Sequence, residues 1–314
     1  MKMYKGLVVI IILFFVLSII IGQCSSDDEL CIDENIEKIE LSEKLIGQPI
    51  IQSEQSESSL IAKTRMDLRS INDTLFIKEQ NRGECSGLEI PKVYDAIPEQ
   101  ILKREGYTLS YNNITKCANW VAWHLPKEHT DGSWSRKGLP YFEDMEAVSP
   151  RQEVWDWKIN PNRYDHGHMC PAGDNKWSKL AMEQSFLLTN MCPQNRKLNG
   201  GDWKELEEKC RDWAEKYGEI YIVCGPIYYD GKKETIGGIK EIWVPDAFYK
   251  VVLCMKGLPK AIGFVYPNIG QHHSMSHYVM AVNDVEAKTG IDFFYTLADD
   301  LEESIESKTD LSIW

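Results

Sequence analysis

The chain has 314 residues, 43% of them hydrophobic and 11% aromatic, with a formal net charge of −13. That apolar content can fill a sizeable core and excludes a chain disordered throughout, while the length fits one large domain or two small ones. The acidity excludes nucleic-acid binding through a broad basic surface, because Lys and Arg neutralising phosphate supply most non-specific affinity; a polyanion would have to be held at a local positive site, weakly and with salt sensitivity.

At the N-terminus, Lys2 and Lys5 precede a run from Leu7 to Ile21 that is apolar but for Ser18, the layout of an export signal. At about fifteen residues the run is short for a bilayer span, which needs roughly 20. Residues 1–23 are therefore expected to be a signal peptide or lipoprotein signal. Cys24 and the following Ser25-Ser26-Asp27-Asp28-Glu29 resemble a bacterial lipoprotein processing site with an acidic surface tag. Gln23 departs from the small residue usual there, and ordinary signal cleavage is the alternative. The expected locations are the cell envelope or surface, or secretion, with membrane contact only through an N-terminal lipid or signal anchor. Residues 24–92 are rich in Ser, Gln, Glu and Asp without sustained apolar periodicity and read as an acidic, mostly disordered tether. The globular domain is expected over 93–314. Nine cysteines, eight if Cys24 is modified, are compatible with disulfides in an oxidising compartment, and the lack of a Cys-x-x-Cys pair argues against a zinc knuckle.

Within the domain, Tyr107–Tyr111, the Asn112-Asn113 pair and the β-forming run Thr115–Trp123 predict a hairpin with an Asx-rich turn. Trp203, Leu206, Cys210, Trp213 and Tyr217 fall at helical spacing, with Gly200-Gly201 before them and Gly218 as a C-terminal stop. Ile220–Cys224 predicts a strand ended by Gly225-Pro226, and further strands are expected at Ile242–Val244, Tyr249–Met255 and Ala261–Tyr266.

Three short pieces carry the chemistry: Asp165-His166-Gly167-His168-Met169-Cys170-Pro171-Ala172-Gly173-Asp174, then Asn190-Met191-Cys192-Pro193-Gln194, then Asn199, Trp203 and Glu207. In this order and spacing they resemble the active site of the DNA/RNA non-specific endonucleases, ββα-metal nucleases with an Asp-Arg-Gly-His signature. The likeness runs from about Tyr107 to about Phe294. It implies an α+β fold, a central antiparallel sheet with a ββα-metal (His-Me finger) motif, and Mg²⁺-dependent cleavage of DNA and RNA, with Mn²⁺ or another divalent cation able to substitute.

Hydrolysis of a phosphodiester needs an activated water, charge neutralisation on the phosphorane and stabilisation of the leaving 3′ oxygen. His168 suits the first role, since a neutral imidazole accepts a proton near physiological pH; a His making an ordinary hydrogen bond is the bland alternative. Asn199 offers a hard, neutral oxygen suited to Mg²⁺, or it caps the following helix. Eight residues on, at about 1.5 Å per helical residue, Glu207 is expected roughly 12 Å along the axis, holding metal-bound water, or pairing with Arg211. The resemblance further places Asn190 as support for the histidine or the phosphate and Arg136 as a phosphate clamp. His166 stands where the family usually has Arg, losing a fixed cationic fork. Activity is then expected to be lower or favoured by mild acid, unless the position is mainly structural. Asp165 and Asp174 read as structural carboxylates, Trp203 as helix packing, and His272, His273 and His277 as a solvated loop. A different class of protein, an exported transition-metal-binding lipoprotein, would use His166, His168 and Cys170 as ligands; it leaves Asn190, Asn199 and Glu207 unexplained. The oligomeric state is not legible in the sequence.

Overall fold

The computed structural model describes residues 87–93, 97–238 and 241–314, all within one compact unit, Gln80–Trp314. The expected leader, the expected tether up to residue 86, and Cys24, Cys31 and Cys85 lie outside the described residues. Leu88 is buried and Lys92–Val93 forms a strand, so the last residues assigned to the tether belong to the folded unit. In chain order the strands are β1 Lys92–Val93, β2 Gln100–Lys103, β3 Thr108–Asn112, β4 Cys117–Pro126, β5 Asp165–His168, β6 Met191–Gln194, β7 Glu219–Ile227, β8 Thr235–Ile236, β9 Ile242–Trp243, β10 Ala247–Cys254, β11 Lys260–Pro267, β12 Val279–Met280 and β13 Ile291–Asp292. The α-helices are α1 Lys179–Gln184, α2 Arg196–Gly200, α3 Asp202–Tyr217, α4 Val282–Thr289 and α5 Asp299–Glu306.

Seven strands form one antiparallel sheet in the order β12-β11-β10-β7-β4-β3-β2, and β5–β6 forms a separate hairpin. The expected hairpin is β3–β4. Its turn closes as the Asn112 carbonyl oxygen of the side chain accepts the Ile114 and Thr115 N–H groups at 2.9 and 3.3 Å, an Asx turn. The expected stop at Gly225-Pro226 is not observed, because β7 continues to Ile227 alongside β10. Pro226 is tolerated because β4 pairs with β7 only as far as Cys224, and beyond that point β7 has a free side where a missing N–H costs no ladder bond.

Alternation along the strands divides the core between two faces. On the front face Ile220, Ile222, Cys224, Phe248 and Val252 meet Trp203, Leu206, Cys210 and Trp213 of α3. On the back face Tyr221, Val223, Tyr249, Val251 and Leu253 meet Val282 and Val285 of α4 and Ile305 of α5. Each large apolar side chain fully buried in this way contributes roughly 1.5–3 kcal/mol. α3 ends as its periodicity predicts, with Gly218 at φ +94° donating its N–H to the Ala214 carbonyl at 2.8 Å. The disulfide expectation is not met among the described residues: Cys117, Cys170, Cys192, Cys210, Cys224 and Cys254 are all free and buried, packing as small apolar groups. Among the described residues no helix is long and apolar enough to cross a membrane.

Candidate active site

The hairpin β5–β6 carries the signature. Asp165 pairs with Gln194 and His168 with Met191. Between the two histidines, Gly167 lies so close to β6 that an added Cβ would fall 2.6 Å from the Gln194 Cβ, which is why this position takes no side chain. The long excursion from Met169 to Asn190 is pinned at its ends by Asn190. Its side-chain oxygen accepts the Cys170 N–H at 2.9 Å, and its amide donates to the Cys170 and Ser185 carbonyls, both at 2.9 Å. Its own carbonyl accepts the Met169 N–H at 3.0 Å. Fully buried, with its polar atoms committed to backbone, Asn190 holds the loop behind His168; the part of its expected role that required reaching phosphate has no free donor to serve it.

A cleft of about 820 Å³ opens between the hairpin, α2–α3 and the loop 132–136. It is lined by His168, Asn199, Glu207, Asp165, His166 and Arg136, and Asn190 is outside the lining. Four cations, Arg136, Lys176, Lys204 and Arg211, face two carboxylates, Asp165 and Glu207. An acidic protein thus presents a locally positive recess, the arrangement a polyanion requires. Lys176, Lys204 and Arg211 are not singled out by the signature, although Lys204, Glu207 and Arg211 at i, i+3 and i+7 mark one helix face.

Asn199 lies on α2, a short helix of its own, and α3 begins after Gly201 at φ −117° and ψ −112°. The expectation that Asn199 caps α3, and that it sits two turns below Glu207 on one helix, is corrected by this break, which lets both side chains reach one cleft. The Asn199 amide nitrogen donates to the Asp165 carboxylate at 3.1 Å. A carboxylate only accepts, so the carboxamide is oriented with its oxygen left available for a cation. Glu207, half-buried, is pushed up to about 7, first by burial and then by Asp174, against the opposing pull of Lys250, Arg211 and Arg136. It does not pair with Arg211, which instead donates to Asp174 at 2.7 Å, where Trp123 Nε1 also donates at 3.1 Å. A hard amide oxygen beside a desolvated carboxylate is a donor set that fits a hydrated Mg²⁺.

His168 is buried against Phe186, ring centroids 5.1 Å apart and edge-on. Among the described residues its Nε2 has no hydrogen-bond partner. Burial, reinforced by the charges of Arg136 and His166, lowers its pKa to about 3, so the imidazole is neutral across the physiological range. Arg136 is exposed on the cleft wall, its guanidinium 5.6 Å from the Phe186 ring. His166 is sandwiched between Tyr141 at 3.9 Å and Trp157 at 3.7 Å, nearly parallel to both, and burial lowers it to about 4. Mild acid therefore does not charge His166, and the stacking supports the structural alternative for this position.

His166, His168 and Cys170 do not form a ligand cluster. Among the described residues, the group of His, Cys, Asp and Glu ligand atoms lying within 4.8 Å of one another is Asp202, Glu205 and His272. There Asp202 already accepts from Tyr278 Oη at 2.7 Å and the His273 N–H at 3.1 Å and pairs with His272, so one member of the expected solvated His loop is tied to the start of α3. Trp203 packs as expected, fully buried against Phe248 and Tyr266.

An antiparallel hairpin followed by a helix, with a histidine on the hairpin and an asparagine at the helix entry facing one cleft, is the ββα-metal motif. A family model of the DNA/RNA non-specific endonucleases matches residues 90–300, and the chain belongs to that family. It is 35% identical over 218 residues to the zebrafish (Danio rerio) protein named nuclease EXOG, mitochondrial, covering 64% of this chain and 63% of that protein. A nuclease of Nostoc sp. is 30% identical over 228 residues, 67% of this chain and 78% of that protein. A crystal structure of an EndoG/EndoGI complex superposes with a TM-score of 0.60 at 26% identity, over 64% of this chain and 88% of that chain. The match thus spans somewhat less than two thirds of the zebrafish protein.

Proposed function

We propose that this protein is a metal-dependent endonuclease that hydrolyses phosphodiester bonds in DNA and RNA with little sequence preference, leaving 5′-phosphate ends. The observation that carries the reading is the shared cleft: His168, Asn199 and Glu207 line one positive recess together with Arg136. His168 is the general base, its neutral ring taking a proton from the attacking water. Asn190 fixes the loop after His168, and Arg136 holds a non-bridging phosphate oxygen from the exposed wall. Asn199, oriented by Asp165, would hold Mg²⁺, and Glu207 would contribute through a water. When bound, the ion supplies Lewis-acid stabilisation of the phosphate and of the leaving 3′ oxygen. The cleft groups address the backbone, which carries no sequence information.

The test is incubation of the protein with plasmid DNA and with RNA, in Mg²⁺ or in chelator, alongside His168→Ala. Loss of both substrates only with metal and only in the wild type is the expected result; intact nucleic acid in Mg²⁺ would overturn the reading. The N-terminal charge-and-apolar layout with Cys24 supports export and lipid anchoring at the envelope. Radiolabelled palmitate should enter the wild type and not Cys24→Ala; label in neither removes the lipid anchor from the proposal.

A further inference from the structure

One aromatic side chain in the cleft is not used by any step of phosphodiester hydrolysis. Trp134 lines the cleft two residues before Arg136 and is 43% exposed. Its backbone is held in place: its N–H donates to the Lys176 carbonyl at 3.2 Å, and the following turn closes with the Leu139 N–H on the Arg136 carbonyl at 3.2 Å. On the other side, the Gly132 N–H is taken by the Asp131 carboxylate at 2.7 Å. The loop is thus anchored while its indole stands in the open.

Of the other rings at the cleft, Tyr164 is tied through its hydroxyl to Glu234 at 3.0 Å, and its neighbours are stacked or covered. His129 stacks on Trp177 at 3.9 Å, Tyr141 and Trp157 enclose His166, and Phe186 lies against His168 and beneath Arg136. Among the described residues no ring or cation is stacked on Trp134. A large apolar plane, fixed at its base and beside cations that attract a phosphate backbone, has the chemistry of a platform for a nucleobase.

We propose that Trp134 stacks an unpaired base adjacent to the phosphate held by Arg136, and that the protein consequently favours single-stranded over duplex nucleic acid. The inference rests on the nuclease reading above and names the substrate form that site prefers. In a duplex both faces of a base are covered by its neighbours, and exposing one requires unpairing and unstacking. An unpaired strand offers that face without this cost. Stacking is indifferent to base identity, so the preference is for strand form and not for sequence.

The test uses the full chain. In chelator, where nothing is cut, binding of a fluorescent oligothymidylate and of a hairpin duplex is followed by anisotropy for the wild type, Trp134→Ala and Trp134→Phe. The wild type is expected to bind the single strand more tightly. Trp134→Ala should weaken that binding about tenfold and bring the ratio of single-strand to duplex affinity towards one, with Trp134→Phe restoring most of it. With Mg²⁺ added, the same substitution should raise KM on the single strand with little change in kcat. Because Trp134 is exposed, the melting temperature should stay near that of the wild type, separating lost stacking from lost fold. Equal affinity of the wild type for both forms, or a Trp134→Ala variant that weakens both alike or neither, overturns the proposal. Absence of cleavage by the wild type in Mg²⁺ would instead remove the nuclease reading, while the binding ratio still decides on the stacking.

Discussion

The two faces of the seven-stranded sheet both bury charge, and they neutralise it in different ways. On the front, beneath the cleft, Lys250 is fully buried between Trp123 and Trp203, its Nζ 5.1 and 4.6 Å from the two ring centres. Burial alone would lower its pKa, but Cys224, Cys210, Glu207 and Asp174 around it raise it on balance, and Asp174 is paired with Arg211. On the back, Glu286, Glu302 and Glu306 are raised to about 7, 7 and 9, first by burial and then by nearby carboxylates: Asp292 for Glu286, Asp292 and Glu286 for Glu302, and Glu286 and Glu302 for Glu306. The front sets cations against its carboxylates, with Asp174 held by Arg211 and Lys250 nearby, although Glu207 is still raised to about 7, whereas the back has only the proton. The proposed site, which would take a cation and a phosphate, calls for the first solution; a helix that only has to dock can use the second.

The largest effect on the front face is expected from the group proposed as general base. His168→Ala should lower kcat by about 10²–10⁴-fold, the range for loss of a general base, measured below the melting temperature of a variant that also loses a ring buried against Phe186. Plasmid nicking at saturating Mg²⁺ measures it; a residual rate within a few-fold of wild type means that another group takes the proton. Next comes the front-face charge network. Arg211→Met leaves the Asp174 carboxylate, almost wholly enclosed, with a lost ion pair beside Glu207, and should cost about 3–5 kcal/mol of stability as broken buried pairs do. Denaturant unfolding measures it, and a loss below about 1 kcal/mol would show that Asp174 simply takes up a proton, as the back-face carboxylates do.

That network explains which features were legible in the sequence. α3 and the hairpin β3–β4 are written in local periodicity and turn chemistry, and the signature residues meet because a ββα unit brings them together over a short stretch. Lys250 leaves no such mark. A lone Lys between Phe248 and Val252 in a strand reads as solvent-facing, and only the arrival of α3 from elsewhere in the chain encloses it. The Asp174–Arg211 pair is hidden for the same reason, since Arg211 has Glu207 four residues before it and the competing partner comes from a distant loop. The five residues of α2 are too few to show a helical period, so Asn199 reads as the cap of the next helix. Pro226 reads as a strand end because one sequence does not reveal that β4 has already parted from β7.

The back face is tested through pH. The carboxyl of Glu306 is raised above its unfolded value, to about 9. Its stabilising contribution is therefore complete below the unfolded pKa near 4.5 and is lost as pH rises through 9, because the unfolded chain ionises first. Stability should fall between about pH 5 and 9. Glu306→Gln, which keeps the neutral form at every pH, should flatten that slope and raise stability at pH 8 by about 1 kcal/mol or more, read as a shift of roughly 2–4 °C per kcal/mol in Tm. A slope unaltered by the substitution would show that the front-face groups set the pH dependence instead.

The smallest effect concerns the departure at His166 and returns to the front face. The ring is stacked between Tyr141 and Trp157 and lowered to about 4, so at pH 7 it supplies a neutral plane where the family's Arg would supply a charged one. A guanidinium is also planar and stacks on aromatic faces, so His166→Arg keeps the sandwich and adds one cation to the cleft. The fold should survive with little change in Tm, while the slope of log affinity against log salt for duplex DNA becomes steeper by about 0.9, the increment for one further phosphate contact. Between pH 7 and 5 His166 itself should add nothing to affinity, because it takes up its proton below that window; a rise there belongs to Glu207, raised to about 7 in the same cleft, and should vanish in Glu207→Gln. A salt slope identical in the two proteins would mean that position 166 is too deep in its stack to reach phosphate, making the aromatic sandwich the whole purpose of the residue.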